Sequence, residues 1–185
     1  PRDMPFNTGI SPMKEAMSLA TENVRQRVAK GQGVLRRGAP VLMYEIMPYC
    51  QPWIVKRFME NGVGIMPGGP TEKQLKPPRF DDPYMVAAEA WLKGSVSVNA
   101  GYKAEQISER LIKYNFDGVL FGLFDFDRWL GSDNRLLARM FEEKTKLPAF
   151  YIEGDFWEDR DYSPAALETR IESISEIIKM RKAGN

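Results

Sequence analysis

The sequence predicts an α/β domain: a doubly wound, roughly four-stranded parallel sheet of the Rossmann or flavodoxin-like kind, with helices on both faces. Three observations predict it. Four short apolar runs lack the in-out alternation of half-exposed strands, which marks strands buried on both sides. Helical segments separate successive runs, the order that a parallel sheet with crossover helices requires. Acidic, aromatic and glycine residues gather just after the runs, where open parallel sheets receive their ligands.

Residues 1–10 (PRDMPFNTGI) read as an irregular lead-in. Ser11-Pro12 pairs a helix N-cap residue with a helix-opening proline. The run KEAMSLATENVRQRVAK then supports a helix ending near Gly31 or Gly33, with Met17, Ala20, Val24 and Val28 at helical spacing. PVLMYEIM (40–47) has the length and continuous apolar character of a first strand, and QPWIVKRFMENG follows as a helix with Trp53, Ile54 and Phe58, stopped by Gly62. VGIM (63–66) is the second strand and opens into the Gly/Pro-rich loop PGGPTEKQLKPPRFDDP. Asp82-Pro83 caps a helix containing Met85, Val86, Ala90 and Trp91. A small-residue loop (GSVSVNAG) precedes the helix carrying Ala104, Ile107 and Leu111. GVLFGLF (118–124) is the third strand, a helix runs through LLARMFEEKT, and AFYI (149–152) is the fourth strand. Ser163-Pro164 opens the last helix, whose Leu167, Ile171, Ile174 and Ile178 form one apolar stripe. Residues 1–37 therefore read as a lead-in and helix, and 38–185 as the α/β domain.

Composition narrows the chemistry. The 185 residues are 43% hydrophobic and 28% charged, the ordinary balance of a globular domain, and suffice for one sizeable core. A net charge of +1 supports neither nucleic acid nor an anionic membrane as partner. No apolar run approaches the ~20 residues of a membrane span, and no signal peptide is visible, so a cytoplasmic location is expected. The single cysteine, Cys50, excludes an internal disulfide and fits a reducing compartment. Histidine is absent, which removes Ser-His-Asp and Cys-His catalysis and any histidine-based metal site. Carboxylates, Lys, Tyr, Cys or a bound cofactor must carry any chemistry. No GxxxxGKS/T or GxGxxG phosphate loop occurs. The chain begins at Pro1 rather than methionine, as a processed or engineered product or a fragment of something longer does.

Each strand end carries a group of interest, and each group has two readings. Cys50, flanked by Tyr49 and Gln51, is either a buried small hydrophobe or a thiol whose pKa a helix start lowers. Gly68-Gly69 is either a turn between prolines or a backbone-amide cradle for a phosphate. Asp125 and Asp127 sit two apart, as do Glu153 and Asp155, so each pair points one way in extended chain. Four such carboxylates either hold a hard cation such as Mg²⁺ or raise one another's pKa, or else lie exposed beside Arg128 and Arg160. Phe126 and Trp157 suit either core packing or stacking on a bound ligand, and Arg170 either pairs with these acids or faces water.

The run from Phe116 to Lys179 also resembles the C-terminal domain of 2-hydroxyacyl-CoA dehydratase subunits, a family that includes the ATP-dependent benzoyl-CoA reductases. The resemblance rests on an ordered set: the strand opening Asp117-Gly118-Val119, the Asp125-to-Asp127 loop, the strand end from Pro148 to Asp155, and the TRIE segment from Thr169 to Glu172. Weaker similarity runs through ENG (60–62) and DPYMVAAEAWL, so that most of residues 38–180 is covered.

The resemblance implies a subunit of an iron-sulfur lyase of anaerobic metabolism. In such an enzyme one electron makes a ketyl radical of a 2-hydroxyacyl-CoA, and the radical expels the hydroxyl. A [4Fe-4S] cluster and a separate ATP-dependent activator protein serve that step, and a second dehydratase subunit completes the enzyme. Carried onto this sequence, Cys50, Asp127 and Asp155 are the catalytic candidates facing the crevice. Phe126 and Asp127 stand at the cofactor, and Asp127 occupies the loop position of the third cluster ligand. Gly68, Gly69 and Lys73 approach the acyl-CoA. The family supplies three cluster thiolates per subunit, two of them from an N-terminal domain, and this chain has one cysteine. It is therefore expected to cover well under a full subunit, to bind no typical cluster alone, and to be inactive by itself. The alternatives are a benzoyl-CoA reductase-type subunit, a cluster-free interaction domain, or a flavodoxin-like binding domain for a nucleotide or phosphorylated ligand.

Overall fold

The computed structural model describes residues 11–45, 52–72, 76, 79–93, 99–124, 128–154 and 163–184. The chain divides into two units, residues 1–37 and 38–185. The first contains α1 (Ser11–Ala29), and the chain beyond it turns at Gly31, whose φ of 66° favours glycine. Met17, Val24 and Val28 keep their helical spacing and are exposed.

In the second unit β1 (Val41–Glu45), β2 (Gly64–Pro67), β3 (Gly118–Phe124) and β4 (Ala149–Gly154) form one sheet in the order β2-β1-β3-β4, with every pairing parallel. The connecting helices are α2 (Pro52–Glu60), α3 (Pro83–Lys93), α4 (Ala100–Lys113) and α5 (Arg128–Thr145), and α6 (Pro164–Ala183) follows β4. This is the doubly wound α/β arrangement that the apolar runs predict. Strand β1 starts at Val41 rather than Pro40, since proline has no N–H to give the ladder, and β2 lies one residue later than its apolar run suggests.

Strand geometry explains the two layers. Successive side chains leave a strand on opposite faces, so Leu42 and Leu120 enter one core and Met43, Val119 and Phe121 the other. The first core is closed by Ile54 and Phe58 of α2 and by Leu167, Ile171, Ile174 and Ile178 of α6. The second is closed by Ala104, Ile107 and Leu111 of α4 and by Leu137 and Phe141 of α5. Phe121 lies between Tyr151, stacked at 5.8 Å, and Phe141 at 6.0 Å.

Helix ends follow local chemistry. Ser163 caps α6 by accepting from the Ala166 N–H, with proline just inside the helix. Asn99 caps α4 by accepting from the Tyr102 N–H at 2.9 Å. Asp82 accepts from the N–H groups of Tyr84 and Met85 at the start of α3. Gly62, at φ 78°, ends α2. Helix α3 differs from a simple core helix. Met85 and Trp91 are exposed, and among its described residues the buried side chain is Glu89, which accepts from the backbone N–H and Nε of Arg79.

The N-terminal edge of the sheet is tied by Asp117. Its Oδ2 accepts from the Val41 N–H at 2.7 Å and from Lys182 Nζ at 2.7 Å, joining β1, the start of β3 and the end of α6. Replacing Asp117 with Ala should lower stability by roughly 1–3 kcal/mol, the range for a hydrogen bond to a charged group and an orphaned N–H. Urea denaturation measures this, and Lys182→Met should cost less because it leaves the Asp117–Val41 bond intact.

Candidate functional site

In this strand order β1 lies between β2 and β3, so the chain reverses its direction of travel across the sheet at β1/β3. Ligands of doubly wound sheets bind outside the carboxyl ends of the strands at such a switch point. Four chain segments leave from that edge, after Glu45, Pro67, Phe124 and Gly154. Phe124 and Gly154 are direct partners across β3 and β4, so the two acidic loops start side by side. Cys50, Lys73, Phe126, Asp127 and Asp155 all lie outside the described residues, as do Tyr49, Gln51, Asp125 and Trp157. Arg170 is placed: its Nε donates to the Tyr151 carbonyl at 3.3 Å, and the side chain is exposed.

Gly68 and Gly69 are described, and both press against α4. A Cβ on Gly68 would stand 2.6 Å from Met43 Sδ and 2.8 Å from Arg110 Cδ, and one on Gly69 would stand 2.6 Å from Tyr114 Oη, inside the ring's own space. The carbonyls beside them are engaged as well. Gly69 O accepts from Arg110 Nε at 3.0 Å and Pro70 O from Tyr114 Oη at 2.7 Å. Further along, Glu72 pairs with Lys113, and its backbone N–H donates to Glu109. The segment after β2 is thus laid along α4, and the two glycines permit that close approach.

The same corner contains a cluster that no motif announced. Glu45, the last residue of β1, is buried, and its strand partner is Phe121. Lys103 and Arg110 of α4 are buried too, and both act on its carboxyl electrostatically. Burial is the larger influence and lifts the Glu45 carboxyl above the ordinary glutamate value, while Arg110 and then Lys103 pull it back. The available signal was a single acid inside the apolar run PVLMYEIM, together with two cations seven residues apart on a helix. Such cations are usually solvated, and only the packing of α4 places them.

A chain with one cysteine does not match the thiolate set of an iron-sulfur cluster, and Asp125, Asp127 and Asp155, the expected cation ligands, lie outside the described residues. Clusters are held by thiolates, whereas this sequence offers Cys50 alone and no imidazole. Among the described residues no three His, Cys, Asp or Glu groups converge as metal ligands would. No described helix is long and apolar enough to cross a membrane.

The chain matches the family described as 2-hydroxyglutaryl-CoA dehydratase, D-component, over residues 4–178, and it belongs to that family. It is also similar to a benzoyl-CoA reductase subunit from Thauera aromatica, with 25% identity over 104 residues, which is 56% of this chain and 24% of that protein. The matched stretch is therefore about a quarter of the relative's length.

Two outcomes are expected here. Gly69→Ala should cost about 1–3 kcal/mol by overpacking against Tyr114, and Tyr114→Ala in the same chain should recover part of that loss, a coupling measurable in a double-mutant cycle. For Glu45, the unfolded chain releases its proton at the ordinary value and the folded chain only at the raised one. Stability from protonated Glu45 is complete below the ordinary value and is lost as pH rises through the raised one. Urea midpoints across that window should therefore move in favour of Glu45→Gln over wild type as pH rises.

Proposed function

We propose that this chain, within the 2-hydroxyglutaryl-CoA dehydratase D-component family, forms the acyl-CoA-facing and subunit-contacting part of a 2-hydroxyacyl-CoA dehydratase-type enzyme. The observation that carries the reading is the family match across 4–178 on a sheet whose switch point opens beside the predicted site loops. In this reading the strand-end loops hold Cys50, Asp127 and Asp155 at the reacting end of the substrate. Gly68, Gly69 and Lys73 lie along the path of the thioester carrier, and Phe126 borders the cofactor side. Because the chain offers one thiol, the redox cluster is supplied by cysteines outside these 185 residues. A second subunit and an ATP-dependent activator complete the enzyme. The thiol-poor, charge-bearing crevice contributes substrate placement and proton management.

The 25% identity to a benzoyl-CoA reductase subunit favours a second reading, in which the same placement serves reduction of an aromatic acyl-CoA. Anaerobic co-expression of this chain with a cluster-bearing partner subunit and an activator separates the two. Loss of a 2-hydroxyacyl-CoA with appearance of the 2-enoyl-CoA is the expected outcome. Consumption of benzoyl-CoA instead would select the reductase reading. A partner complex that binds iron and sulfide yet turns over neither thioester would reduce this chain to an interaction domain. In an active complex, Asp127→Ala should lower kcat by about 10²-fold or more, the typical contribution of a positioned acid-base group.

A further inference from the structure

Helix α3 has its polarity reversed. Among its described residues the buried side chain is the carboxylate Glu89, held by Arg79, while its large apolar side chains are exposed: Tyr84 by 85%, Met85 by 45%, Trp91 by 69% and Leu92 by 65%. At 3.6 residues per turn, Tyr84, Met85, Ala88, Trp91 and Leu92 fall within an arc of about 120°, with Glu89 and the half-buried Val86 outside it. A surface helix ordinarily shows the opposite arrangement, its apolar stripe toward the core and its charges toward water. A contiguous apolar patch of this kind marks a contact site, and Trp and Tyr are the residues that dominate such contacts. The helix is also fixed before any partner arrives. Asp82 caps its first turn, and the Arg79–Glu89 pair anchors its inner side, so binding spends little on ordering it.

The order of residues along this face points to what covers it. Tyr84 and Met85 stand one turn before the exposed Ala88, and Trp91 and Leu92 one turn after it. Large side chains thus flank a small one on both sides, the near-mirror order that a two-fold axis requires, since an isologous contact pairs residue i with j and j with i. With two α3 helices laid antiparallel about Ala88, Tyr84 of each copy lies against Trp91 of the other, and Met85 against Leu92. Ala88 meets its own counterpart and lets the two helices approach. The same alignment sets the positive N-terminal end of each helix beside the negative C-terminal end of the other. We propose that α3 is a two-fold docking surface for a second copy of this chain, formed by Tyr84, Met85, Ala88, Trp91 and Leu92. Tyr84 and Trp91 together remove on the order of 300 Å² per copy from water. Met85 and Leu92 extend that area, and the total stays below the roughly 800 Å² per partner of a standard interface. The dimer is therefore reversible, with a micromolar dissociation constant, rather than obligate. This inference does not rest on the dehydratase reading, because it uses no residue of the strand-end edge.

Sedimentation velocity of the full 185-residue chain tests it. Between about 5 and about 500 µM the sedimentation coefficient should climb from that of a monomer to that of a dimer. Trp91→Ala should weaken the association about tenfold or more. Ala88→Glu sets two like charges together at the axis and should leave a monomer at every concentration. Both positions are exposed, so an unchanged urea midpoint shows that the variants remain folded. The pairing itself is read by mixing, which also decides the matter should Ala88→Glu fail to fold. A chain carrying Met85→Lys and Leu92→Lys and another carrying Met85→Glu and Leu92→Glu should each be monomeric alone and dimeric in an equimolar mixture. A wild-type chain that stays monomeric throughout, as it would if α3 received a different subunit instead, overturns the proposal. So does a dimer that folded Ala88→Glu leaves intact, or a pair of opposite-charge variants that do not combine.

Discussion

Because β1 pairs with β3 as well as with β2, each of its side chains is committed to one of two cores. Leu42 and Met43, neighbours in sequence, are both fully buried on opposite faces. The same commitment holds for Leu120 and Phe121 on β3. A register slip of one residue would exchange the two sets, turning Phe121 toward α2 and α6 and Leu120 toward α4 and α5. The register is pinned at its origin by Asp117, which holds the Val41 N–H before the ladder begins. Gly118 lets β3 start close to the Pro148 carbonyl, where a Cβ would stand only 2.8 Å away. Helix placement and the strand-end edge inherit their positions from this pairing.

Following β1 outward shows why the strand-end edge carries charge. On the α4 face its column runs from Met43, packed in the second core, to Glu45 two residues on. The column thus passes from apolar to ionisable at the level where the strand stops. The stripe of α4 changes in the same way, since Ala104, Ile107 and Leu111 face the core while Lys103, Gln106 and Arg110 are buried on its flank. The segment bearing Gly68 and Gly69 covers that flank, and Tyr114 and Arg110 fasten it through the Pro70 and Gly69 carbonyls. The segment covers Arg110 through a close approach, and the approach is possible because those two residues carry no Cβ.

Much of this architecture was legible in the sequence because it depends on patterns with short periods. The stripe Leu167, Ile171, Ile174 and Ile178 and the stops at Gly31 and Gly62 are local statements, and each appears in the structure. What was not legible depends on partners distant in the chain. No pattern in the sequence singles out Glu45, Lys103 or Arg110, because Glu45 and the two cations stand about sixty positions apart in the chain. The exposed faces of α1 and α3 escaped for a related reason. Spacing identifies a possible apolar stripe at Met17, Val24 and Val28, or at Met85 and Trp91, but burial requires a surface to receive it. The glycine pair was visible as a turn or an anion cradle, and its packing on Tyr114 follows only from the path of the chain after β2.

The donor chemistry and the scaffold lead to a division of labour in the proposed enzyme. Electron transfer through iron and sulfur needs several soft thiolates held at fixed separations, and a chain with one cysteine and no histidine is poorly supplied for it. Orientation of a thioester and control of its charge need a rigid edge, backbone groups and a few buried ions, and these the sheet supplies. A buried acid whose proton affinity is raised by desolvation and tempered by two cations is responsive to the charge placed beside it.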